Sequence, residues 1–248
     1  MENLKPLKWY QDLSTAKGRL EANAFLVEGS RAVTQIIDNS SDQIMEILLT
    51  EDLAARYSRF PLRILTEKQL NSLSSVKTPQ GILAAVRLPE DIYTEKIPQK
   101  TGAKLLILED IQDPGNAGTL IRTAAAFDFS GVIMTEQCAD PFSPKCVQAT
   151  AGSLLSLWIR RTKNYLPLIP ALQKDGYKLV AADLNSAENP QILHSFPKIM
   201  LALGNEASGL SPGLVNMSDH KIRIPLNSNK VQSLNVAACG AICMFLTR

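Results

Sequence analysis

The stretch from Pro197 to Arg248 restricts the fold of this chain more than any other. A continuous apolar run, Lys198-Ile199-Met200-Leu201-Ala202-Leu203, stops at Gly204-Asn205-Glu206-Ala207-Ser208-Gly209-Leu210. A second, Ile222-Arg223-Ile224-Pro225-Leu226, breaks into Asn227-Ser228-Asn229-Lys230. Both runs are too short for helices and end in turn formers, so each reads as a buried strand emptying into a loop. The closing segment, Val236 to Leu246, reads as a helix with Ser233 as its expected N-cap. Its small and apolar residues are not confined to one stripe, which predicts cover on several sides. Two strand-end loops beside a helix N-terminus offer backbone donors and acceptors to a small polar ligand.

A chain of 248 residues, 45% hydrophobic and 20% charged, has enough core for one large or two ordinary domains. No apolar run approaches the ~20 residues of a membrane span. The beginning, Met1-Glu2-Asn3-Leu4-Lys5-Pro6, lacks the apolar centre of an export signal. We therefore expect a cytoplasmic protein without membrane contact. A net charge of +2 permits nucleic-acid binding without arguing for it. The four cysteines, Cys138, Cys146, Cys239 and Cys243, form no CxxC pair, and there are only two histidines. Buried reduced thiols are the expectation, and no metal site.

Taken in order, the chain alternates strand and helix patterns. Residues 1 to about 22 are amphipathic and basic. Phe25 to Gly29, Ile44 to Leu49, Arg63 to Leu65 and Ile82 to Val86 read as strands. Val33, Ile36 and Ile37 recur at helical spacing, Leu53 to Tyr57 begins a helix and Glu67 to Leu73 forms another. This predicts a compact α/β domain over 1–88. Residues 89–102 carry charges and two prolines and read as a linker. The second domain, 103–248, opens on Lys104 to Leu108, apolar enough to be central in a parallel sheet. Its further predicted strands are Gly131 to Thr135, Leu154 to Ile159 and Lys178 to Ala182. Helices are expected from the loop at Asn116 onward, from Pro144, and over Leu166 to Lys174. The expected fold class is thus α/β, with a wound parallel sheet in the larger domain.

Three stretches stand out for chemistry: Asn116 to Arg122, Gly204 to Leu210 and Ile224 to Asn235. Singly each has a structural explanation, as a helix cap, a strand-to-helix turn, or a strand end marked by a proline that cannot donate. Their order and combination are more specific. Asn116 followed after five residues by Arg122, then Leu203-Gly204-Asn205-Glu206 with Gly209-Leu210, then Ile224-Pro225-Leu226, then Ser233-Leu234-Asn235-Val236 resemble the three motifs of the TrmH-type (SpoU) branch of the SPOUT methyltransferases. The N-terminal Phe25-Leu26-Val27-Glu28-Gly29-Ser30-Arg31 and Thr78-Pro79-Gln80-Gly81-Ile82 are similar to the small L30e-like RNA-binding domain of many members.

The resemblance implies S-adenosylmethionine as cofactor and a ribose 2′-hydroxyl of structured RNA as acceptor. The L30e-like domain favours large-subunit (23S) rRNA, with tRNA second. It further implies a trefoil knot in the C-terminal domain, which no periodicity would reveal, and a homodimer through that domain. Arg122 would help the acceptor oxygen either as base or by contacting ribose and phosphate. Because a guanidinium keeps its proton at neutral pH, we favour positioning. Asn116 would orient Arg122 or hold its loop, Glu206 would shape the site's edge, and Ser233 and Asn235 would lie near substrate or cofactor. Backbone groups of Leu203, Gly204, Ile224, Leu226 and Leu234 would hold the cofactor. One departure stands out: the loop from Leu226 to Gln232 is one residue longer than the usual form and lacks its glycine, which puts the contacts of Leu226 and Asn227 in question. Arg160, Arg161, Lys163, Lys17, Arg19 and Arg31 are candidate phosphate contacts, or merely solvated charges. A non-catalytic RNA-binding relative is the competing reading. A dinucleotide enzyme is set aside because Asp113-Pro114-Gly115-Asn116 stands where a GxGxxG would be needed.

Overall fold

A computed structural model describes residues 5–76, 78–227 and 229–248. Met1 to Leu4, Lys77 and Ser228 lie outside the described residues, and with them the start of the expected N-terminal segment and one position of the loop before Ser233.

The chain begins with α1 (Leu7–Asp12), α2 (Ala16–Ala22), β1 (Ala24–Glu28), α3 (Ser30–Ser40) and β2 (Ile44–Leu49). It continues through β3 (Leu62–Ile64), α4 (Glu67–Asn71), β4 (Ile82–Arg87) and β5 (Lys104–Leu108). Next come α5 (Pro114–Ala126), β6 (Gly131–Thr135), α6 (Pro144–Thr150), β7 (Trp158–Thr162) and α7 (Leu168–Lys174). The last elements are β8 (Lys178–Ala182), β9 (Ile199–Leu203), α8 (Pro212–Met217), β10 (His220–Ile222) and α9 (Val236–Phe245). Among the described residues no helix is long and apolar enough to cross a membrane.

Contacts divide the chain into two units, one comprising residues up to Pro89 with Asp140–Ser156, the other Glu90–Ala139 with Leu157–Arg248. The first is built on a four-stranded sheet in the order β1-β4-β2-β3. β4 is antiparallel to both neighbours, and β2 and β3 are parallel. Val33, Ile36 and Ile37 are the buried residues of α3, as their spacing predicts. Tyr10, Leu48, Leu70 and Leu83 belong to a buried cluster of this unit. Arg19, a candidate phosphate contact, is instead 4% exposed and donates to the carbonyls of Leu13 and Ser14 and to Asp140. A guanidinium so enclosed serves the fold.

The second unit carries a six-stranded, wholly parallel sheet in the order β10-β8-β9-β5-β6-β7. β5 and β9 are central, and apart from Lys104 at the start of β5 both are wholly apolar because both faces are covered. Their register pairs Leu108 with Leu203, so the loops after them leave the sheet side by side. Arg160, 3% exposed, donates to the carbonyl of Lys96 and to Asp91, and Arg161 donates to the carbonyls of Glu136 and Cys138. Arg160 is thus neither the phosphate contact nor the solvated charge that the sequence allowed but pins neighbouring loops, and the half-buried Arg161 also holds a loop. Residues 89–102 form no helix or strand and run beside β7, where Ile92 accepts from the Arg161 amide.

Three local expectations also change. The predicted strand over Leu154 to Ile159 is a 3-10 turn, Ser153–Ser156, before β7. The Leu53 to Tyr57 segment is 3-10 rather than α-helical. The ladder of β10 ends at Ile222, so Ile224-Pro225-Leu226 is loop, as a proline without an N–H would require in an interior strand.

Candidate active site

The carboxyl ends of β8, β9 and β10 and the approach to α9 enclose a cavity of about 760 Å³. Leu203 and Gly204 at the end of β9, then Ile224, Leu226, Ser233, Leu234 and Asn235 line it, together with Glu206. Every residue assigned above to the cofactor therefore faces one space. Asn116 and Arg122 are not among its lining residues. Arg122 occupies an exposed position on the third turn of α5.

The loop after β9 is a closed ring. Asn205 and Gly209 exchange both backbone hydrogen bonds, at 3.1 and 2.9 Å. The Asn205 side chain accepts from the amides of Ala207 and Ser208 and donates to the carbonyl of Asp110 at 2.8 Å. A Cβ on Gly204 would stand 2.4 Å from the backbone of Gly209, so only glycine lets the ring close. Glu206 rides on this ring, exposed.

Asn116 sits in the first turn of α5, which is capped by Asp113 accepting from the Asn116 amide at 2.9 Å. Its side chain uses both amide atoms. Nδ2 donates to Glu206 Oε1 at 2.8 Å, and Oδ1 accepts from Asn235 Nδ2 at 3.0 Å. Three residues from three distant motifs thus form one chain of hydrogen bonds at the cavity's edge. Asn235 also caps α9, accepting from the amides of Ala237 and Ala238. The expected cap, Ser233, lies two residues earlier and is exposed. Asn235 wins because its side chain reaches the free amides of the first turn while Ser233 remains in the loop.

α9 packs against α5 and β9. At their crossing a Cβ on Gly240 would meet Leu120 at 2.3 Å and Leu203 at 2.7 Å. Ala238, Ile242 and Phe245 face outward instead, so the cover expected on all sides is incomplete within one chain.

The lengthened loop folds back on itself. The Asn227 carbonyl accepts from the amides of Lys230 and Val231 at 2.9 and 3.2 Å. Leu226 keeps its place in the cavity wall, and Asn227 does not line it.

Sequence reading missed several members of the site. Asn205, inside a named motif, carries the ring's hydrogen bonds. Asp183 at the end of β8 and Cys239 and Cys243 on α9 also line the cavity. The Cys243 thiol donates to Cys239, which holds Cys239 below the ordinary thiol value, while that bond and burial push Cys243 up. The position of Asp183 directly after an apolar strand was the available signal. The two thiols looked like ordinary core. Among the described residues no group of three or more His, Cys, Asp or Glu is arranged to hold a metal ion.

The lining suits a ligand of mixed character. Apolar side chains from Leu203, Ile224, Leu226, Leu234 and Val236 provide walls for a flat ring, and exposed loop backbone provides polar partners. Two carboxylates, Asp183 and Glu206, stand against one cation, Arg223, among the lining residues. That balance accommodates a ligand of net positive charge.

Comparison with known proteins accords with this geometry. Residues 103–245 match the SpoU rRNA Methylase family, and residues 5–84 match the MRM3-like substrate binding domain. The whole chain aligns at 30% identity with the 23S rRNA (guanosine(2553)-2'-O)-methyltransferase RlmP of Bacillus subtilis, covering 97% of it. The AdoMet-bound rRNA methyltransferase of Sinorhizobium meliloti superposes with a TM-score of 0.81 at 27% identity, over 98% of this chain and 93% of that one. A protein assigned to the TrmH RNA methyltransferase family from Porphyromonas gingivalis gives 0.83 at 28% identity, over 100% and 98%.

Proposed function

The chain belongs to the SpoU rRNA methylase family, and from that premise we propose that it methylates a ribose 2′-hydroxyl of 23S rRNA with S-adenosylmethionine as donor. The observation that carries the reading is the hydrogen-bonded set Asn116, Glu206 and Asn235, two of which line the cavity. A decayed relative would have no reason to keep three polar groups from three separated motifs in one network. We take residues 1–88 as the RNA-gripping domain, 89–102 as its connection and 103–248 as the transfer domain. The knot and a cytoplasmic location belong to the same reading.

Backbone groups of Leu203, Gly204, Ile224, Leu226 and Leu234 would hold the donor. Bound there, S-adenosylmethionine supplies an electrophilic methyl group on a sulfonium. The chain's own task is to bring a sugar oxygen into line with that methyl and manage the oxygen's proton. Arg122 holds ribose and phosphate and stabilises charge growing on the oxygen. Asn116 fixes Glu206 and Asn235 against each other. Glu206 and Ser233 shape the mouth through which the ribose enters.

The second chain of a homodimer completes this arrangement. Ile242, 39% exposed, and Phe245, 56% exposed, recur with Ala238 along one face of α9. Such a face, next to the helix bearing Arg122, is suited to an isologous contact.

Ribose methylation mapped across 23S rRNA and tRNA from a strain lacking the gene tests the reading. One 23S position should lose its methyl, regain it with the parent gene and stay unmethylated with Arg122→Ala. Loss confined to tRNA, or no loss, would overturn it.

A further inference from the structure

Glu109 directly follows β5 and is 6% exposed, a carboxylate drawn almost wholly out of water. Such a group is retained only when its oxygens are hydrogen-bonded. Tyr165, itself 6% exposed, donates its hydroxyl to Oε1. The Ser211 amide donates to Oε2 at 2.6 Å. Ser211 is where the Gly204–Leu210 segment ends and α8 begins, and its own hydroxyl caps that helix by accepting from the Leu214 amide. One residue after Glu109, the carbonyl of Asp110 takes the Asn205 side chain at 2.8 Å. Asp110 has a φ of 57°, a conformation held by Thr135, whose hydroxyl accepts the Asp110 amide at 2.9 Å and donates to its carboxylate at 2.6 Å. The loop that carries Glu206 is therefore moored at its entry and its exit to consecutive residues just past β5.

We infer that Glu109 is a positioning residue for donor binding: clamped by Tyr165, it holds the exit of the Gly204–Leu210 loop through the Ser211 amide and so sets the shape of the cavity. Neither Glu109 nor Tyr165 lines the cavity, so the effect passes through the loop. Burial, and then the Glu109 carboxylate, push the Tyr165 phenol well above its ordinary value, so it remains a donor at every working pH. Asp110 is the other charged group acting on this phenol. Both mooring points lie in the loop that leads from β5 into α5. The loop bearing Glu206 and the helix bearing Asn116 thus share one foundation, which keeps their hydrogen bond in register.

The link to the donor rests on the proposed function, while the mooring itself does not. The test compares parent, Tyr165→Phe and Glu109→Gln by hydrogen exchange of the Ser211 amide in donor-free protein and by calorimetric S-adenosylmethionine affinity. Tyr177→Phe is the control. Tyr177 is 1% exposed in the same core cluster and donates to Thr101 at 2.7 Å, away from the loop. Ser211 exchange should accelerate by about tenfold or more in both test variants while the Leu106 amide stays protected. Donor Kd should rise by about threefold or more, and Tyr177→Phe should change neither. Smaller changes in the test variants, or equal changes in Tyr177→Phe, overturn the proposal. Faster Ser211 exchange with unchanged affinity overturns the donor role. A parent protein that binds no donor would refute the methyltransferase reading separately, and Ser211 exchange would still decide the mooring.

Discussion

Asn116 illustrates how much one side chain decides. Its amide nitrogen gives to Glu206 and its oxygen receives from Asn235, so it needs both polarities of a carboxamide. Asn116→Asp keeps the size and the Asn235 bond but turns a donor toward Glu206 into a second carboxylate. The two charges repel, and Glu206 swings away from the ring's edge. Because Asn116 lies outside the cavity lining, donor affinity should change by less than about threefold. Turnover at saturating donor should fall on the order of a hundredfold, in the range for misplacing an oriented group. Calorimetry and single-turnover methylation separate these effects, and a loss carried wholly by donor affinity would remove Asn116 from the catalytic network.

At the scale of elements, α9 joins the cavity to the rest of the unit. Cys239 and Cys243 are one turn apart and both line the cavity. Cys239 is partly accessible and held below its ordinary value by the Cys243 thiol, so its thiolate appears at lower pH than an ordinary cysteine's. N-ethylmaleimide should label Cys239 first, with rates already rising below the ordinary thiol range near ~8.5. S-adenosylmethionine should slow this labelling by about fivefold or more, while Cys243 reacts later. Mass spectrometry reads both, and labelling indifferent to donor would place the donor elsewhere. The same helix shows what the sequence could and could not disclose. Short, nearly continuous apolar runs ending in Gly or an acidic residue marked β5, β6, β8 and β9, since burial on both faces leaves no alternation to misread. The choice of Asn235 over Ser233 as cap was not legible, because both are capping residues and only the chain's path decides which meets the free amides. Nor was the Glu109–Ser211 bond, made across a hundred residues and fixed by strand order rather than local pattern. Arg19 and Arg160 misled for the same reason: their partners, Asp140 and Asp91, are distant in sequence.

For the whole molecule, the question is what covers the outer face of α9. Phe245 packs edge-on against Phe127, the residue that ends α5, with ring centroids 6.1 Å apart, yet remains more than half exposed. Ile242 stands one turn before it. Water against these residues is unfavourable by ~25 cal/mol for each Å² left uncovered, and a specific pairing of two such faces needs on the order of 1,000 Å² or more in total. α5, which bears the exposed Arg122, packs against α9 and would share such a face. Ile242→Glu with Phe245→Glu would place like charges opposite each other across a two-fold axis, where unpaired buried charge costs several kcal/mol. The parent should sediment as a dimer and the double variant as a monomer. The cavity is lined within one chain, so the monomer should bind S-adenosylmethionine with nearly parental affinity. Methyl transfer should nevertheless fall by about tenfold or more, because Arg122 lies outside the lining of its own chain's cavity and, in the proposed dimer, would work where two chains meet. A monomeric variant that methylates rRNA at the parental rate would show that one chain suffices and that Arg122 acts from its own helix.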